Sequence, residues 1–152
     1  MTRLANIEKA GYYPLPPTIT DLILTYIAAP ENAGTDGRLL DPCAGEGTAL
    51  VTLADKLGLK PFGVELNEER AEKARTLVSQ LAARRLTQSR EAQLPSQTNI
   101  LNDSYSSLIT SRDGYNLLYV NPPYDWDKDA ESGDGSRLEY QWLWRMRPFL
   151  QP

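Results

Sequence analysis

Three short stretches carry residue types suited to chemistry. The first is Asn121-Pro122-Pro123-Tyr124, which follows the apolar run Leu117-Leu118-Tyr119-Val120. That run reads as a buried strand. Two successive prolines cannot donate to a ladder, so the strand stops there. The Asn121 side-chain oxygen and the Pro122 carbonyl can both accept from a flat –NH2 group while Tyr124 stacks on the ring that bears it. The plainer alternative is a strand-ending turn with a packed tyrosine. The second stretch is Asp41-Pro42-Cys43-Ala44-Gly45-Glu46-Gly47, a strand end, a glycine turn and a helix start. Glycines let a ligand approach the backbone, and the helix start adds amide donors. No Gly-Lys-Ser/Thr follows, and Leu50 stands where a dinucleotide fingerprint has its third glycine. The third is Glu65, about 20 residues beyond Gly45, at the end of Phe62-Gly63-Val64-Glu65. An acid at that point meets ribose hydroxyls in doubly wound folds. Together the three outline a nucleoside site without a pyrophosphate grip.

The elements that must position these residues alternate. Residues 1–11 read as an arm, and the proline-rich 11–17 as extended chain. A helix is predicted over 18–28, with Ile19, Leu22, Ile23, Tyr26 and Ile27 forming one apolar stripe. A strand over 38–41 leads through the glycine turn to a helix over 48–57, stopped by Gly58. The strand over 62–66 is followed by a helix to about residue 85, capped by Asn67 and packed through Ala71, Ala74, Val78 and Leu81. A polar loop over 87–98, a weak strand over 99–102, a helical turn within 104–110 and a strand over 115–120 come next. An acidic loop over 125–136 precedes a helix over 137–149, with Leu138, Trp142, Met146 and Phe149 roughly on one face. Repeated strand–turn–helix alternation argues a parallel α/β sheet with helices on both faces.

Composition narrows the classes. The chain has 152 residues, 41% hydrophobic and 24% charged, the make-up of one globular domain. It has one cysteine and no histidine, which removes histidine-dependent nucleophile systems and nearly every zinc site; no metal is expected. With no signal peptide or membrane-length apolar run, a cytoplasmic location is expected. The net charge of −4 means that any nucleic-acid contact comes from local patches or from another part of the protein. Cys43 reads as a small packing residue. Asp125, Asp127 and Asp129 begin like a calcium loop, but Ala130 and Ser136 break the pattern. Arg84, Arg85 and Arg90 read as a solvated helix end, with phosphate contact as the alternative. Trp126 is a candidate for base stacking, and Trp142 for the core.

Taken in order, residues 11–17 with their Tyr-Tyr-Pro-x-Pro-Pro pattern, Asp41 to Gly47, Gly63-Val64-Glu65-Leu66-Asn67 and Asn121-Pro122-Pro123-Tyr124 resemble a class I S-adenosylmethionine-dependent methyltransferase of the N6-adenine type. The likeness is to small bacterial, phage or plasmid relatives. It implies a Rossmann-like three-layer α/β/α fold with a mainly parallel sheet. It implies that Asp41 holds the methionine amino group, that Cys43, Ala44, Gly45 and Gly47 pass beneath the cofactor, and that Glu65, with Leu66 beside it, takes the ribose hydroxyls. Asp103 would meet the cofactor's adenine, and Tyr13 and Pro14 its methionine end. Leu15 stands where relatives often carry threonine, so no side-chain contact to the methionine carboxylate is implied there. Asn121, Pro122 and Tyr124 would hold and stack the target base, flipped out if it lies in a duplex. The partner implied is DNA, ahead of RNA.

The resembling fold has seven strands, and this chain offers about four, as one incomplete domain over 1–152. The expected order is 3-2-1-4, which leaves 117–120 on an open edge. A truncated domain is therefore expected, its sheet completed by a missing C-terminal segment or a partner chain. Two other readings stay open: transfer to another planar amine (a protein glutamine amide or guanine N2), and a non-catalytic cofactor-binding or interaction module.

Overall fold

A computed structural model describes residues 14–88, 99–121 and 138–151. Four parallel strands form one sheet in the order β3-β2-β1-β4: β1 Arg38–Asp41, β2 Lys60–Glu65, β3 Ile100–Asn102 and β4 Leu117–Leu118. Pairing is in parallel throughout, with Asp41 beside Gly63, Glu65 beside Asn102 and Leu40 beside Leu118. The chain steps outward from β1 to β3, then crosses back to lay β4 on the other side of β1. The direction of winding therefore reverses between β1 and β4.

Side-chain alternation along the strands builds two apolar layers. Leu39 joins one core with helices α1 (Pro17–Tyr26), α2 (Thr48–Leu57) and α3 (Glu68–Gln88), through Leu50, Leu53, Ala71, Ala74, Val78 and Leu81. Leu40 points the other way, into a second core with Tyr115 and Met146, the latter on helix α4 (Leu138–Met146). Phe62, Leu118 and Phe149 pack around it. The three-layer, Rossmann-like α/β/α arrangement read from the sequence is thus the one observed. No helix among the described residues is long and apolar enough to cross a membrane.

Local chemistry fixes the element ends. Pro17 begins α1, where a missing N–H costs nothing. The Asn67 side chain accepts from the Arg70 N–H at 3.0 Å and caps α3 as expected. At the far end of α3, Arg85 donates to the Ala54 carbonyl at 2.7 Å and to the Leu59 carbonyl at 2.9 Å. It closes the C-terminus of α2 with a cation, a contact of about 0.3–2 kcal/mol. Arg85 is therefore a helix cap rather than a phosphate contact, and Arg84 faces Asp55 at 3.5 Å; Arg90 lies outside the described residues.

Four expectations need correction. The α1 stripe faces the core only in part: Ile23 and Ile27 pack inward together with Leu24 and the buried Thr20, whereas Ile19 and Leu22 are exposed and Tyr26 is 83% exposed. Apolar residues on both sides of this helix allow two rotations, and the core takes the side carrying Thr20. The strand over 115–120 is shorter, with ladder pairing at Leu117 and Leu118, both half-buried. Its outer edge is also not wholly open. Tyr115 bridges Leu150 in parallel, donating to the Phe149 carbonyl at 2.9 Å and accepting from the Gln151 N–H at 2.8 Å. The Asn116 amide ties this base together, accepting from the Arg38 N–H at 2.9 Å and donating to Gln151 at 2.7 Å. The helix expected over 137–149 ends at Met146 and tightens into a 3-10 turn, Arg147–Phe149.

Gly47 starts α2 at φ +84°, and a Cβ there would stand 2.9 Å from Ala74. Gly58 ends α2 at φ +67° with open space around it. Gly58→Ala is expected to cost about 1–2 kcal/mol, the left-handed penalty alone. Gly47→Ala should cost clearly more, because α3 must also move. Thermal melts of both variants check this, and equal losses would mean that the Ala74 contact is soft.

Candidate functional site

The acids and the amide sit at the carboxyl ends of adjacent strands. Asp41 closes β1, Glu65 closes β2, Asp103 follows β3 and Asn121 lies beyond β4. The Tyr119 N–H still bonds the Leu40 carbonyl at 2.9 Å, so β4 is held against β1 up to two residues before Asn121. In open α/β sheets the crevice at this edge, where the winding reverses, is where ligands bind.

The turn between β1 and α2 is held from beneath by β2. The Ala44 N–H bonds the Val64 carbonyl at 2.9 Å, and the Gly47 N–H bonds the Ala44 carbonyl at 2.8 Å. The Gly45 N–H donates to Glu65 Oε2 at 2.9 Å. Glu65 Oε1 accepts from the Asn67 N–H at 2.8 Å and from Arg70 Nε and Nη2 at 3.0 and 2.8 Å. Asp41 Oδ1 accepts from the Cys43 N–H at 2.9 Å. Both acids are buried, Asp41 at 2% exposure and Glu65 at 7%.

Burial dominates the electrostatics. It pushes the Asp41 carboxyl up to about 7, the Cys43 N–H pulls the other way, and the Glu65 charge adds to the rise. Burial, helped by the same two acids, also raises the Cys43 thiol. Cys43 is therefore a protonated thiol lining the turn, with no thiolate chemistry near neutral pH.

The structure brings together Asp41, Cys43, Ala44, Gly45, Gly47 and Glu65 as one unit. Leu66 follows directly and is largely exposed at the rim. Asn102 bonds the carbonyls of Glu65 and Leu66 at 2.9 and 3.1 Å, which brings the start of the β3 turn to the same rim. Asp103 is exposed there and accepts from the Ser104 N–H at 2.6 Å. Asn121 is half-buried, and Pro14 is exposed ahead of α1. Tyr13, Pro122, Pro123, Tyr124, Trp126 and the acidic loop over 125–136 lie outside the described residues, as does the side chain of Trp142.

Two residues of this unit escaped the sequence reading. Arg70 grips Glu65, and Lys73 bonds Glu46 of the turn at 2.7 Å. Their positions hold a usable signal. Cations near a helix N-terminus oppose the macrodipole, so a basic pair there points to specific acidic partners.

A site built this way suits a particular ligand chemistry. Its buried acids repel phosphates, and the Gly45 amide of the turn is already committed to Glu65. What fits is a neutral or cationic nucleoside with hydroxyls and an amino group to donate.

Solved structures share this architecture. A protein from Listeria monocytogenes assigned to the class I S-adenosylmethionine-dependent methyltransferases superposes with a TM-score of 0.65 at 11% identity, over 93% of this chain and 44% of that one. Methyltransferases from Thiobacillus denitrificans and Geobacter sulfurreducens, both in complex with S-adenosyl-L-homocysteine, give TM-scores of 0.60 and 0.57 at 16% and 15% identity. Each comparison covers 100% of this chain and 52% of the other. This chain therefore spans about half the length of the structures it matches, and at these identities the likeness establishes the fold alone. No curated protein matches the sequence. The sequence profile of one family, described as an uncharacterised methyltransferase family, matches residues 1–151, and the chain belongs to that family, DUF6094.

Proposed function

We propose that this chain carries the cofactor site and the amine-holding strand end of an S-adenosylmethionine-dependent methyltransferase whose target is the N6 amine of adenine in DNA. The observation that supports this most is the pair of buried acids at neighbouring strand ends, with the Gly45 N–H committed to Glu65. S-adenosylmethionine has no phosphate, and when bound it supplies a methyl group on a cationic sulfonium. The residues present fit such a group. Asp41 holds the amino group of its methionine end, Glu65 takes the ribose hydroxyls, and the backbone over 43–47 passes beneath. Leu66 and Asp103 border the adenine, and Tyr13 and Pro14 the methionine end.

The target reading rests on Asn121-Pro122-Pro123-Tyr124. An exocyclic amine is a poor nucleophile because its lone pair is delocalised into the ring. Two acceptors, the Asn121 side chain and the Pro122 carbonyl, favour the pyramidal form that frees it. The protein then supplies orientation and electrostatics rather than a strong base, which agrees with a chain that has no histidine.

Calorimetric titration with S-adenosylmethionine tests the cofactor reading. Glu65→Ala is expected to weaken binding by about 10- to 100-fold, the cost of losing hydrogen bonds to a charged group. Asn121→Ala should largely spare binding and abolish labelled-methyl transfer to adenine-containing DNA. A folded wild type that binds no cofactor removes the proposal.

The pH dependence follows from Asp41, which must be ionised to meet an ammonium group. Because its carboxyl is raised to about 7, cofactor affinity is expected to strengthen as pH rises from about 6 to about 7.5. Binding should release a proton over the same range, most fully at its acid end and hardly at all above it. Affinity measured across these pH values should lose the slope in Asp41→Asn; a slope that survives assigns it to another group.

A further inference from the structure

Arg70 is the residue of this region whose placement the proposed chemistry does not yet use. It lies near the start of α3, where a cation is disfavoured, and its side chain is 16% exposed. Its Nε and Nη2 both reach Glu65 Oε1, which also takes the Asn67 N–H, so three donors converge on one oxygen. Oε2 accepts one bond among the described residues, from Gly45.

The charges around the buried pair are unevenly placed. From β1 and β2 come Asp41 and Glu65. The glycine turn adds Cys43 and Glu46. β3 adds the neutral Asn102, spent on backbone carbonyls, with Asp103 beyond it. α3 adds Arg70 and Lys73, and Lys73 goes to Glu46. Among the described residues Arg70 is thus the cation in contact with Glu65.

We infer that Arg70 is a positioning residue for the ribose-binding acid: it pins Glu65 Oε1, leaves Oε2 to accept from the ligand, and offsets the buried charge of Glu65. This rests on the cofactor reading above. One guanidinium therefore serves both ends of the ligand, the ribose through geometry and the amino group through charge.

The test compares wild type, Arg70→Met and Arg70→Lys, titrated with S-adenosylmethionine and with adenosine across pH. Adenosine has the ribose and the base but no amino-acid end. Arg70→Met is expected to weaken both ligands by about tenfold or more. It should also move the midpoint of the S-adenosylmethionine profile to higher pH by on the order of one unit, as an uncompensated neighbouring carboxylate does. Arg70→Lys keeps the charge but not the two-donor grip. Its adenosine affinity should fall while the midpoint stays. A purely structural role would lower affinity without moving the midpoint, so Arg70→Met with wild-type affinity or an unmoved midpoint overturns the inference. If Arg70→Met loses its helical circular-dichroism signal, Arg70→Lys decides, and unchanged affinity for both ligands overturns it. A folded wild type that binds neither ligand instead overturns the cofactor reading, and the inference with it.

Discussion

Two carboxylates buried at neighbouring strand ends set the terms for this structure. Both are taken out of water, and the Glu65 charge adds to the cost of ionising Asp41. The fold answers with fixed donors: the Cys43 N–H on Asp41, and the Gly45 N–H, the Asn67 N–H and Arg70 on Glu65. The glycine turn is shaped by this need as much as by any ligand, since its amide points at Glu65. The start of α3 is placed by it too, since Asn67 and Arg70 must both reach the same oxygen. Close packing of Gly47 on Ala74 lets that helix come near enough.

The reversal of winding between β1 and β4 gives the site two halves of different character. On one side β1 and β2 present acids that are buried and tied to backbone. On the other, β4 is short, half-buried and followed by Asn121 and prolines. The two apolar layers keep these halves in register, because Leu39 and Leu40 anchor β1 in both at once.

Much of this was legible in the sequence where one residue type has few alternatives. Gly58 could only end a helix, Asn67 was a strong cap, and an acid after Phe62-Gly63-Val64 had to lie at a strand end. The exact rotation of α1 was not legible, because the stripe is broad: its Ile23 and Ile27 edge, extended by Leu24, meets the core, while its Ile19, Leu22 and Tyr26 edge is left exposed. The length of β4 was misjudged because an apolar run measures burial potential, whereas the ladder depends on what lies beside it. The Tyr115–Leu150 bridge links segments that no local pattern connects. Arg85 shows the limit of reading charge runs: its guanidinium closes a helix more than two dozen residues away.

The register of the sheet also implies an order of assembly. β1 and β2 pair residues that lie 22 apart in sequence, Arg38 with Lys60. The contact of β1 with the β4 segment spans 78, Arg38 with Asn116. Closing the longer loop costs roughly 1 kcal/mol more in chain entropy. The acid-bearing half can therefore collapse from a contiguous stretch of chain, and the segment leading to Asn121 docks onto a platform already formed. On a nascent chain the same order is imposed by synthesis, since β1 and β2 emerge well before β4 exists. The strand ends that carry the buried acids can form first, and the strand that leads to Asn121 is added to them.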